Sequence, residues 1–194
     1  MSSDFTDIRR RLAARRPRRA EMDGRIPAAV AAVLVEGEEG LEILLIKRSE
    51  REGDPWSGQM AMPGGRREPE DADLLETAIR ETREETGVAL SDADLLGELD
   101  DLSPAHEHLP PILVRPYVFG LPVRPPAHAR DEVDLVLWVP LRRLRESLQE
   151  EEITVREFNL RAPGYRLGEH FVWGLTERML TPFLALLDLP APLD

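Results

Sequence analysis

Apolar residues along the chain recur with two periods. From Pro27 to Glu36 the sequence is a continuous Val/Ala-rich run, and from Glu42 to Arg48 it is apolar on both faces. Short unbroken runs of this kind predict strands covered on both sides. The polar Gly37-Glu38-Glu39-Gly40 between them predicts a hairpin. Further strands are expected near Asp94–Leu102, Ile112–Gly120, Val133–Val139 and Ile153–Phe158. Helical spacing appears in Leu75, Ala78, Ile79 and Thr82, within a segment opened by Asp73 and Glu76 and closed by Gly87. Asp73 with Glu76 reads as an acidic capping box, and Gly87 as a C-terminal stop. A short helix is expected from Pro140 to about Leu148, and a final one over Thr176–Leu187. In the latter, Met179, Leu180, Phe183, Leu184 and Leu187 form a core-facing stripe. Ser49 to Met62, with Gly53, Pro55, Trp56 and Gly58, predicts a long loop.

The 194 residues, 42% of them apolar, suffice for one domain with a real core. Cysteine is absent, which excludes disulfides, thiolate metal sites and cysteine nucleophiles and fits a cytoplasmic protein. The longest apolar run, Pro27 to Val35, is too short to span a bilayer. Charge divides the chain. Residues 1–25 hold eight Arg against four acids, so the net charge of −12 leaves −16 for residues 26–194. An acidic body argues against nucleic-acid or anionic-membrane binding and suits cation-assisted handling of a small phosphorylated molecule. The Arg-rich start predicts a solvated helix followed by a flexible link, an extension to a domain over 26–194, with contact to phosphates or another subunit as the alternative.

Chemistry concentrates in the helix before Gly87. At about 100° per residue, Glu81, Glu84 and Glu85 fall on one helical face. Like charges three and four apart cost about 0.2–0.5 kcal/mol per pair, so the arrangement is unfavourable unless a cation sits there. Hard oxygen donors suit Mg²⁺ or Mn²⁺. Arg80 can reach Glu84 at i+4 and orient it. A solvated acidic turn is the rival reading in a chain with 32% charged residues.

The run Arg80-Glu81-x-x-Glu84-Glu85-x-Gly87-Val88 resembles the end of the Nudix hydrolase signature, G-x5-E-x7-R-E-U-x-E-E-x-G-U, where U is aliphatic. Thr82 replaces the first aliphatic position, Ala72 stands where the signature has Glu, and Arg66 where it has Gly. The longer loop, with Pro63-Gly64-Gly65, Glu68, Asp71 and Thr77-Ala78, is similar to that of the coenzyme A diphosphatase branch. Leu44, Leu45, Arg48, Ser49 and Gly58 match a second marker of that branch. That marker is broken here by one extra residue before Gly58, by the lack of its second Arg and by Met62 in place of Phe.

The resemblance implies an α/β fold, an α/β/α sandwich around a mixed β-sheet with a loop-helix-loop metal site. It implies a Mg²⁺- or Mn²⁺-dependent enzyme that cleaves the diphosphate of a nucleotide substrate. In coenzyme A the products would be 3′,5′-ADP and 4′-phosphopantetheine; ADP-ribose, NADH and dinucleoside polyphosphates are the alternative substrates, and a non-catalytic nucleotide-binding Nudix module is the third reading. A homodimer is compatible with it, dimers being frequent in the superfamily. Glu81 and Glu85 would hold the ion with a main-chain carbonyl at Gly65, Glu84 would assist a second ion or the reaction, and Arg80 would complete the catalytic set. Glu132, just ahead of a strand, is read as a late metal ligand or base, or as a surface acid. Arg48 is a candidate for substrate phosphate, with Arg51 standing in for the missing Arg. Trp56 either stacks on a base or pins its loop. His106 and His108 either meet substrate or lie exposed in a Pro-rich loop.

Overall fold

The computed structural model describes residues 3–104, 109–130, 132–155 and 158–188. The two apolar runs form the centre of a mixed sheet. Strand β1 (Ile26–Gly37) turns into antiparallel β2 (Gly40–Arg48). On its other side β1 runs parallel to β6 (Ile112–Leu121), and β5 (Leu95–Glu98) closes that edge. β7 (Val133–Pro140) pairs with the far side of β2.

The hairpin pairing ends at Leu34 and Ile43, and towards the other end of the strands β1 and β2 separate. β4 (Gly64–Arg66) pairs with Ala28 to Val30 of β1, and β3 (Met60–Ala61) pairs with Ile46 and Lys47 of β2. A cleft lies in this split. The expected loop Ser49–Met62 therefore ends in a strand, and the glycines after Pro63 form another.

Side-chain alternation along β1 makes three layers. Ala29, Ala31, Val33 and Val35 face helix α2 (Leu74–Thr86) together with Leu44, Leu74, Ala78 and Phe119. Ala28, Ala32 and Leu34 face the opposite core, built with Phe5, Ile8 and Leu12 of α1 (Ser3–Ala13) and Met179, Leu180 and Phe183 of α4 (Leu175–Asp188). This is the expected α/β/α sandwich. A three-stranded antiparallel sheet of β8 (Leu148–Val155), β9 (Phe158–Leu167) and β10 (His170–Trp173) adds Tyr165 and Val172 to the second core.

Three local expectations are corrected. The Arg-rich start is not a solvated helix on a flexible link: Phe5, Ile8 and Leu12 are buried, and the segment behind them is strapped to the sheet. There Arg15 and Arg18 pair with Asp100, while Arg19 pairs with Glu98 and Asp101. The helix after Pro140, α3 (Leu141–Glu146), stops short because Leu148 already belongs to β8. The strand expected over Asp94–Leu102 is four residues long, and Leu102 makes only an isolated bridge to Val114.

Candidate active site

Helix α2 is fixed at both ends by its own sequence. The Asp73 carboxylate accepts the N–H of Glu76 at 3.0 Å, while Glu76 reaches back to the N–H of Ala72 at 2.6 Å, one residue earlier than in a standard capping box. Gly87 takes a left-handed φ of 74° and donates to the Arg83 carbonyl at 2.9 Å. Thr82, at a position the signature gives to an aliphatic residue, is fully buried, and its hydroxyl donates to the Ala78 carbonyl at 2.7 Å. That bond satisfies the hydroxyl and lets Thr fill an apolar position.

The three glutamates do not share one environment. Glu85 is buried, and one of its oxygens accepts the Gly64 N–H at 2.8 Å. Burial pushes its pKa up to about 8 against that hydrogen bond, with the Glu81 charge adding to the rise. Glu81 is also raised by burial, opposed by Arg80. Both line a cleft of about 600 Å³. Glu84 is half-exposed, held by Arg80 at 2.9 Å and outside the cleft lining. Among the described residues, no group of three His, Cys, Asp or Glu side chains stands close enough to hold a metal ion. The expected single patch is thus two inward carboxylates and one outward.

Arg80 accounts for this division. Its Nε and Nη2 donate to the two oxygens of Asp71 at 2.9 and 3.0 Å. Nη1 donates to Glu81 at 3.0 Å and to Glu84 at 2.9 Å, and Nη2 also donates to the Arg66 carbonyl at 3.1 Å. All five guanidinium N–H groups therefore have protein acceptors, and none is left for substrate. Asp71 is buried and further accepts the Glu68 N–H and the Thr77 hydroxyl, each at 2.9 Å. Arg80 chiefly, together with those two donors, holds its pKa down to about 2 against burial. Asp71 belonged to the loop pattern in the sequence, yet its role as the anchor of Arg80 is visible only in the fold.

The site suits a hard divalent cation on two observations. Two carboxylates, Glu85 buried and Glu81 partly buried, face the cleft with pKa values raised by desolvation, so a positive charge there would offset their cost. A β-carbon on Gly65 would lie 2.3 Å from Glu81 Oε1, so only glycine lets the β4 main chain approach that carboxylate. Gly64 is equally constrained, since a β-carbon there would lie 2.2 Å from the Ala29 carbonyl oxygen.

The opposite wall comes from the loop after β2. Arg48 donates to Asp54 at 2.9 Å, and the other Asp54 oxygen accepts the Trp56 N–H at 3.0 Å. Among the described residues the buried Arg48 Nε has no protein partner, which leaves a donor beside the cleft. Asp54 was missed in the sequence; a spacing of six residues inside a loop gives no sign of a pair. Trp56 lines the cleft and packs against the core, so it acts at least as the loop's pin. Arg51 and Glu132, read separately from the sequence, form an ion pair across the mouth of the cleft. Met60, Met62, Ile112, Val114, Leu175 and Met179 line an apolar end. His106 and His108 lie outside the described residues.

The profile of the NUDIX domain matches residues 25–159. A mitochondrial coenzyme A diphosphatase of Homo sapiens is 35% identical over 174 residues, covering 84% of this chain and 70% of that protein. An uncharacterized protein of Schizosaccharomyces pombe is 40% identical over 104 residues, 51% of this chain but only 32% of its own length. The crystal structure of a MutT/nudix family protein from Enterococcus faecalis superposes with a TM-score of 0.58 at 21% identity, covering 86% of this chain and 62% of that one. Among the described residues no helix is long and apolar enough to cross a membrane. With the domain profile spanning most of the chain and the arginine-glutamate helix set against the glycine loop, the chain belongs to the Nudix hydrolase family.

Proposed function

We propose that this diphosphohydrolase cleaves the diphosphate of coenzyme A or its acyl esters, giving 3′,5′-ADP and (acyl-)4′-phosphopantetheine. The observation that carries the reading is the 35% identity, over 84% of the chain, with a protein named as a coenzyme A diphosphatase. The cleft supports it, because a carboxylate end, two arginines and an apolar end suit a diphosphate joined to a long, weakly polar arm. Glu81 and Glu85, with a main-chain carbonyl at Gly65, are the metal ligands; Glu84 serves a second ion or the orientation of Arg80. A bound Mg²⁺ or Mn²⁺ neutralises diphosphate charge and acidifies a water. Arg80 is a positioning residue that aims Glu81 and Glu84. Arg48 offers its free Nε to a phosphate oxygen, a charge-assisted contact. Glu132 takes the proton of the water as its oxygen bonds to phosphorus and the bridging P–O bond breaks, a contribution of about 10²–10⁴-fold.

The test is Mg²⁺-dependent hydrolysis of coenzyme A, its 3′-dephospho form, ADP-ribose, NADH, dinucleoside polyphosphates and nucleoside triphosphates. Coenzyme A should give the highest kcat/KM. Preference for the dephospho form, or rapid cleavage of ADP-ribose beside none of coenzyme A, would assign the chain to a general nucleoside-diphosphate activity.

A further inference from the structure

Two arginines leave the same loop, and their carboxylate partners hold them differently. Arg48 is paired with Asp54, which is itself fixed by the Trp56 N–H, so that pair belongs to the rigid body of the loop. Arg51 has Glu132 as the only side-chain partner of its guanidinium among the described residues, and the two side chains are 50% and 47% exposed. An ion pair this open is weak and exchanges easily. The main chains on either side are anchored. The Arg51 N–H donates to the Ser57 hydroxyl at 2.7 Å, and the Glu132 carbonyl accepts the Ser49 N–H at 2.8 Å. Two positions before Glu132, the Arg130 N–H is tied to the carbonyl of Glu85. Only the two side-chain ends are therefore free to change partner. Both line the cleft that Glu81 and Glu85 also line.

We propose that Arg51 is a positioning residue that exchanges its partner during the reaction: in the free enzyme it occupies Glu132, and an entering phosphate group takes Arg51 and releases the Glu132 carboxylate towards the reacting water. The exchange needs no movement of the sheet. It keeps Glu132 neutralised until substrate is in place, and it gives the chain a phosphate contact from a position other than that of the missing loop arginine. The proposal rests on the reading of the cleft as a diphosphohydrolase site.

Its signature is competition, measured by titration calorimetry with Mg²⁺–ADP on the full chain and by the KM and kcat of hydrolysis. Glu132→Gln removes the competitor for Arg51, so it should bind Mg²⁺–ADP several-fold more tightly while its kcat falls. Arg51→Ala should bind about tenfold more weakly, the scale of one lost charge-assisted contact. In the double variant the gain from Glu132→Gln should vanish, because Arg51 is no longer there to be released. Arg51→Lys keeps the charge and should recover part of the affinity. Persistence of the Glu132→Gln gain in the Arg51→Ala background would overturn the proposal, since the gain would then come from lost carboxylate repulsion alone. Unchanged affinity in Arg51→Ala would overturn it as well. Failure of the underlying reading looks different: the unaltered protein would hydrolyse no diphosphate substrate.

Discussion

The main-chain N–H of Arg130 donates to the carbonyl of Glu85 at 3.1 Å. The loop that presents Glu132 is thereby attached to the last turn of α2, at the residue whose side chain faces the cleft. The His128 N–H adds a bond to the Thr86 carbonyl at 2.9 Å, so two otherwise unfilled carbonyls of the helix end are satisfied by this loop. The Arg130 guanidinium closes over Gly87, where a β-carbon would lie 3.0 Å from Nη2.

Gly87→Ala should therefore act twice. The left-handed φ of 74° is unfavourable for an L-residue by about 1–2 kcal/mol, and the new methyl pushes Arg130 away from the helix end. Chemical denaturation should show the stability loss, and kcat/KM should fall as the Glu132 loop shifts. Gly87→Asn, whose side chain tolerates this φ, should lose less stability yet still disturb activity. Equal stability losses for the two would remove backbone strain as the cause.

Asp71→Asn tests the anchor of Arg80. The substitution keeps size but replaces a bidentate charged acceptor in a buried position, a loss of about 1.5–3 kcal/mol. Activity should fall with stability, since Arg80 also aims Glu81 and Glu84. The pH dependence has a definite sign. The folded-state pKa is about 2 against an ordinary 3.8, so this contribution is fully present above about pH 4 and is lost as pH falls towards 2. Urea unfolding of the two proteins from pH 2 to 5 should show curves that converge at the acid end. A gap that stays constant to pH 2 would mean that Asp71 is not the titrating anchor.

The central strands, helix α2 and its caps were legible because each carries a local signal: unbroken apolar runs, helical spacing, Asp73 and Gly87. The sheet β8–β10 was largely illegible. Its strands hold Glu150 to Glu152, Pro163 and Gly164, and leave Leu148 and Leu160 exposed, so the apolar alternation that marks a half-buried strand is broken. Glu81, Glu85, Arg48, Arg51, Trp56 and Glu132, picked out by their chemistry, line one cleft, but their partners were not legible. Asp71 with Arg80, Asp54 with Arg48 and Arg51 with Glu132 are juxtapositions made by loops, and loop closure leaves no periodicity in sequence. The Arg-rich start misled for a related reason: eight arginines conceal that Phe5, Ile8 and Leu12 share one helical face.

That hidden face predicts a large cost for Phe5→Ala. Phe5 is buried against Gly120, where a β-carbon would lie 3.0 Å from its ring, and Leu12 lies against Gly97 at 2.8 Å on the same measure. The glycines let α1 lie close on β5 and β6, leaving little room for the core to collapse around a cavity. Phe5→Ala should lose about 3–5 kcal/mol in denaturant unfolding. A loss under about 1 kcal/mol would mean that the helix is detached in solution, as its charge alone suggests.

Glu85 gives the prediction that joins stability to metal binding. Its folded-state pKa is about 8 against an ordinary 4.5, so without metal the fold prefers the protonated side chain. That preference is fully present below about pH 4.5 and is lost as pH rises through 8, where the buried carboxylate must carry its charge unassisted. In EDTA, thermal stability should therefore decline between pH 5 and 8.5, whereas saturating Mg²⁺ should flatten the decline, so that the difference between the two curves widens with pH. Glu85→Gln holds a neutral side chain of the same size. It should lose most of the pH slope and of the Mg²⁺ response, with Glu81 left as the remaining raised carboxylate, and its turnover should fall by about two orders of magnitude or more. If Glu85→Gln keeps the slope in EDTA, another group is responsible; if it keeps its turnover at limiting Mg²⁺, Glu85 is not a metal ligand.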